Sequence, residues 1–176
     1  MNIYALDEHP ELAARYHNDR HVAKQINEVV QVLCTAHIMI DGDVVASRTL
    51  KNNVKAVALQ YTRHPWVLWA QASSFNYSWL HQLGEALLKE YSTRFGKVHY
   101  LHELMNLLRT KPMLIECTAM RTPWPQCLPE QYRDTDPIEA YRNYYRGDKQ
   151  HLATWSAPSS VPWWWDAHHA RGVRNV

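Results

Sequence analysis

Residues 16–28 read YHNDRHVAKQINE and hold two histidines, an arginine, a lysine, an aspartate, a glutamate and three carboxamides. On a helix, His17, His21, Lys24 and Glu28 fall at steps of four, three and four and share one face. At about 100° per residue this band lies beside the apolar stripe of Val22, Ile26, Val29 and Leu33, so it should line the margin of a core. Such a margin lowers the dielectric while admitting solvent, which suits proton transfer: His21 or Glu28 as acid or base, Lys24 as an amine or anion contact. His17 and His21 also have the HxxxH spacing at which two imidazoles meet one metal ion, but no third ligand is evident and no metal or other cofactor is expected. The plainest alternative is a solvated helix face with pairs such as Lys24 and Glu28, worth about 0.3 kcal/mol each. Asn18 and Asp19 set one condition: if they interrupt the helix, His17 leaves the band.

Two further clusters mix cations with rings. Arg142, Arg146 and Lys149 recur at helical steps among Tyr141, Tyr144 and Tyr145, as sequence-tolerant nucleic-acid contacts often do. An amphipathic helix with its tyrosines inside reads equally well. His64 and Trp66 open the run HPWVLWA, where a helix N-terminus would meet phosphate, although such a run is also ordinary core. Trp66 and Tyr77 are candidate stacking surfaces for a base turned out of a duplex. Trp163, Trp164 and Trp165 form either a strap on the core or a stacking platform. The chain has no glycine-rich phosphate loop, serine elbow or dinucleotide fingerprint, which argues against nucleotide hydrolysis and nicotinamide chemistry.

Those residues need elements to hold them, and the chain supplies helices. Apolar residues at 46% and only five glycines in 176 residues describe one globular unit able to bury a core. Asp7 and Pro10 announce a short helix, and the stripe from Val22 to Leu33 a longer one. Residues 41–55 lose the period and read as a loop with a small helix after it. From Pro65 to Gly96 helical spacing returns, as one long helix or two joined near Ser78. HYLHELMNLLR is another helix, Pro112, Pro123, Pro125 and Pro129 break the next stretch into an extended excursion, and Asp136 with Pro137 starts a last helix. Period-two alternation is almost absent, so the fold class is mainly α. It comprises a single helical domain over 1–176, with a core to 155 and an irregular tryptophan-rich strap from 156.

A net charge of +2 excludes a domain that coats polyanions nonspecifically, so any DNA contact must be local. No apolar run reaches the roughly 18 residues of a membrane helix and no basic leader precedes one, so a soluble, cytoplasmic protein is expected. Cys34, Cys117 and Cys127 lack metal-ligand pairing and read as buried free thiols.

The stretches NIYALDEHPELAARYHNDRHVAKQINEVVQVLCTAH, HPWVLWAQASSFNYSWLHQLGEALLKEY and DPIEAYRNYYRGDKQHLATW resemble a group of small proteins encoded by tailed bacteriophages. In helix order that group distantly resembles the phage pyrimidine-dimer DNA glycosylases of endonuclease V type, which are single all-α domains. The resemblance implies DNA chemistry in which an N-terminal amine attacks the sugar carbon, helped by an arginine, a glutamate and a second arginine on one helix. Arg20 matches the first arginine and Lys24 the second. His21 stands where the glutamate would be, with Glu28 further on, and Asn2 follows Met1 where the family has a threonine. The expectation is therefore a phage-type enzyme acting on a DNA base in a bacterial host, by excision in the glycosylase and lyase manner. One alternative is transfer of an amine or amino acid to an activated hydroxymethyl pyrimidine; the other is a non-catalytic phage protein that binds nucleic acid or inhibits a host protein. Asn2, Arg20, His64, Trp66, Tyr77, Arg142, Tyr145, Arg146 and Lys149 would then face DNA, and His17, His21, Lys24 and Glu28 the chemistry.

Overall fold

The structure, a computed structural model, describes residues 2–42, 62–118 and 120–165. It is a single, mainly helical domain with no strand among the described residues. Among the described residues six α-helices follow in order: α1 (Pro10–Tyr16), α2 (Asp19–Asp41), α3 (Pro65–Gln71), α4 (Ser74–Phe95), α5 (His102–Leu107) and α6 (Pro137–Asp148). Short 3-10 turns occupy Glu130–Tyr132 and Gln150–Leu152.

Local chemistry sets the helix ends. Asn18 caps α2, its Oδ1 accepting the His21 amide at 2.9 Å, and Gly42 ends it at φ +55°, a conformation that a side chain would strain. Ser73 caps α4 by accepting the Asn76 amide, and Gly96 closes it in the left-handed region. Asp136 caps α6 with Pro137 at its first position. The helical stretch from Pro65 divides at Ala72 and Ser73, not near Ser78, because the Ser73 side chain restarts the hydrogen-bond ladder. The small helix expected after 41–55 falls largely on residues 43–61, outside the described residues.

The centre of the domain is the pairing of α2 with α4, with α1 laid on α4 and α3 against both. Val22, Ile26, Val29, Val30 and Leu33 of α2 are wholly buried, as are Leu80, Leu83 and Leu87 of α4. Each such side chain contributes about 1.5–3 kcal/mol by leaving water. Gly84 lets the helices close up: a Cβ there would sit 2.3 Å from Met105 Cε and 3.0 Å from Val29 Cγ1. The N-terminal segment, Ile3 to Leu6, is buried, turns tightly where the Leu6 N–H donates to the Tyr4 carbonyl at 3.1 Å, and runs beside α2 and α6. No helix among the described residues is long and apolar enough to cross a membrane.

Candidate active site

The N-terminal segment is tied to α2 by polar side chains in an otherwise apolar interior. Gln25, fully buried, donates to the Asn2 carbonyl and to Glu28 Oε2 at 2.8 Å each, while its own oxygen accepts the Tyr4 amide at 3.1 Å. Glu28 Oε2 also accepts the Asn2 peptide N–H at 3.2 Å. The other carboxylate oxygen, Oε1, faces the Lys24 ammonium at 3.6 Å. Glu28 is therefore divided: one oxygen serves buried amides and the other a side chain that is 57% exposed. The Asn2 N–H, the Gln25 amide and the Lys24 ammonium converge on this carboxylate and orient it at the boundary of core and solvent.

Asn2 completes this corner. Its side-chain amide donates to the Cys127 carbonyl at 2.7 Å, and its oxygen accepts from Trp66 Nε1 at 3.3 Å and Tyr141 Oη at 3.4 Å. The proline-rich excursion, α3 and α6 thus all meet the start of the chain here. Trp66 and Tyr141 have no exposed ring face; they wall the corner.

The two histidines are placed differently from Glu28. α2 begins at Asp19, so His17 lies before it in an extended conformation and the HxxxH pair is not helical. His17 is fully buried with Nδ1 2.6 Å from the Ala13 carbonyl, and burial, then the charge of His21, lowers it to about 3. His21 packs between the rings of Tyr4 and Tyr145, its Nδ1 2.5 Å from Tyr145 Oη. Burial first, then Lys24, Lys149 and His151, lowers it to about 3 as well. Both imidazoles are neutral near pH 7. His21 and Glu28 do share the core margin, but no contact joins them.

Most residues expected to meet nucleic acid are engaged inside the fold. Tyr77 and Tyr145 are fully buried; Tyr77 Oη donates to the Leu108 carbonyl and meets His37 Nε2 at 2.9 Å. Burial raises both phenols well above their ordinary range. Arg142 donates to the Leu6 carbonyl and Asp7, and Arg146 to the Trp164 carbonyl, Asn143 and Glu139. Lys149 lies over the Tyr144 ring at 4.6 Å. His64 caps α3 through Nδ1, which accepts the Trp66 amide. Arg20 and Lys24 remain exposed on α2. Of the tryptophans at 163–165, Trp164 packs on Tyr16 and Tyr145 whereas Trp163 is 76% exposed, so the strap is seated through its middle ring. Cys34 is buried, and burial raises its thiol to about 12; Cys127 is half-buried and Cys117 exposed, so only one thiol is the inert core group expected.

Sequence reasoning passed over Gln25, Tyr4 and Arg94. Gln25 sits one helical turn before Glu28 with its amide inward, and its buried phase among Val22, Ile26 and Val29 was the available signal. Comparison with known proteins gave no match to a family model, a curated protein or a solved structure.

Proposed function

We propose that the protein acts on DNA bases, excising one by a glycosylase and lyase reaction at Glu28 and Lys24. The observation that carries this reading is the split Glu28 carboxylate, locked to Asn2 and Gln25 on one side and paired with a solvent-facing amine on the other. An amine adds its lone pair to the sugar C1′ while the C1′–N bond breaks; the base leaves with that electron pair and takes a proton from water. Glu28, already the partner of the Lys24 ammonium, accepts the proton that the amine loses. The sugar ring opens to an imine. Glu28, its proton passed to solvent, takes a C2′ proton, and the C3′–O bond breaks with its electron pair leaving on the 3′ phosphate. Water then hydrolyses the imine to release the free amine, whereas hydrolysis before that elimination leaves the abasic sugar. Arg20, one turn before Lys24 and exposed, supplies a phosphate contact.

The test incubates the protein with DNA carrying damaged and hypermodified pyrimidines, followed by mass spectrometry of the nucleosides. A free base and an abasic site are expected, and borohydride reduction with abasic DNA should leave a covalent adduct whose peptide map names the amine. Glu28→Gln should lower the rate by about 100-fold or more with the fold preserved. A heavier pyrimidine nucleoside in the digest would instead identify transfer. Unchanged nucleosides and no trapped adduct remove both reactions.

A further inference from the structure

A cleft of about 360 Å³ opens on the face of α4 turned away from α2, lined by Phe75, Ser78, Trp79, Gln82, Lys111 and Arg121. That volume lies within the roughly 300–1,000 Å³ usual for small-molecule sites. A second cleft of about 270 Å³ shares Ser78, Gln82 and Lys111 and continues past His81 to Arg109. None of these residues belongs to the Glu28 corner.

The chemistry of the lining is specific. The Arg121 guanidinium lies 3.2 Å over the Trp124 ring, which fixes its plane and turns its N–H donors to the ring's rim. Among the described residues neither Arg121 nor Lys111 has a carboxylate within ion-pair distance, the Glu8 charge reaching Arg121 only from further off, whereas Arg94, Arg109, Arg142 and Arg146 each hold one directly. Phe75 is a large apolar ring left 49% exposed at the same cleft. Trp79, its Nε1 held by the Glu8 carbonyl at 2.7 Å, forms the floor, and Gln82 presents an exposed amide. Two cations without a direct ion pair, beside an exposed ring and an amide, match an anion joined to a flat heterocycle.

We propose that this cleft binds a nucleotide, its phosphate on Lys111 and Arg121 and its base against Phe75. The ligand is either a free nucleotide or one unit of a DNA strand, since both present the same base and phosphate. Packed rings back the site: Trp66, Trp69, Trp79 and Trp124 form a ladder with centroids 5.2, 5.9 and 5.3 Å apart, running from the Asn2 corner to Arg121.

Calorimetric titration of the full chain with thymidine monophosphate, thymidine, inorganic phosphate and a thymidine tetranucleotide tests it. The monophosphate should bind at least tenfold more tightly than thymidine or phosphate alone, and its binding should shift the Trp79 indole N–H resonance. Lys111→Gln with Arg121→Gln should weaken it at least tenfold, and Phe75→Ala about fivefold, with circular dichroism unchanged. A tetranucleotide far tighter than the monophosphate makes the ligand a strand; equal affinity makes it a free nucleotide. Glu28→Gln should bind as the parent does, so loss of excision and loss of this site are separable. Absence of saturable binding by the monophosphate and the tetranucleotide, or binding indifferent to all three substitutions, overturns the proposal.

Discussion

The Asn2 peptide N–H donates to Glu28 Oε2 at 3.2 Å, joining the N-terminal segment to the third turn of α2 across 26 residues. Gln25 makes this possible by binding the Asn2 carbonyl and the same carboxylate oxygen at once. The carboxylate is thereby positioned by backbone, leaving Oε1 to Lys24 and the solvent. The two oxygens have separable duties, and substitution should separate them.

Glu28→Ala leaves the Asn2 N–H and one Gln25 proton buried without an acceptor. The expected cost is about 2–3 kcal/mol, read as a lower urea midpoint at unchanged slope. Glu28→Gln retains an acceptor for the buried donors and should cost about 1 kcal/mol. Its loss is the outward charge, so Glu28→Gln should lose activity while remaining folded. Equal destabilisation by the two would mean that Oε2 is not the structural oxygen.

Stability should fall on acidification between about pH 6.5 and pH 3. His17 and His21 have folded pKa values near 3 against 6.5 ordinarily, because burial disfavours their charged forms. In that window the unfolded chain binds protons that the folded chain refuses, so stability is full above pH 6.5 and declines below it. Each histidine contributes up to about 1.4 kcal/mol per pH unit. His37 and His99 are lowered in the same direction and steepen the slope. His21→Gln should remove one proton from it; denaturation curves at several pH values that superpose for parent and variant would refute this.

The helices were legible because local signals and tertiary packing agree. Asn18, Ser73, Asp136, Gly42 and Gly96 act over a few residues, and the apolar stripe of α2 became its buried face. The candidate band was only partly legible. Glu28 and Lys24 pair as spacing requires, but Asn18 starts α2 one residue after His17 and takes that imidazole elsewhere. Periodicity says which face is inward; it does not say which inward polar group will find a partner from a distant segment. Gln25 meets Tyr4 and Asn2 from 21 and 23 residues away, and Arg142 meets Leu6 from 136. Cations at helical steps look alike whether they face phosphate or a carbonyl.

Arg142→Ala and Arg146→Ala should act on the strap and the N-terminal segment. Arg142 binds the Leu6 carbonyl and Asp7 and lies 5.3 and 5.5 Å from the Trp163 and Trp164 rings. Arg146 holds the Trp164 carbonyl. Each substitution should cost about 1–3 kcal/mol and speed proteolysis around residues 156–165. If they act at a nucleic-acid surface instead, stability is unchanged and the logarithmic salt slope of DNA binding falls by about one.

Arg94→Ala should be the most damaging single charge removal. This fully buried guanidinium donates to the Arg15 and His17 carbonyls at 2.9 and 2.7 Å, to Asp19 at 3.2 Å, and to Glu90 and Ser159. It therefore joins the end of α1, the start of α2, the end of α4 and the strap at one point. Asp19 is bound in turn by the Ser156 amide and hydroxyl, so removing the cation leaves two carboxylates and two backbone carbonyls facing one another without a donor between them. The expected loss is about 3–5 kcal/mol, and Arg94→Lys should recover only part of it, because a point charge cannot span the fork. Burial shields the cluster from counterions, so the deficit should persist at about 1 M salt. A deficit under about 1 kcal/mol, or one that salt abolishes, would show that the α1–α2 junction, and with it the placement of His17 and His21, is held by packing alone.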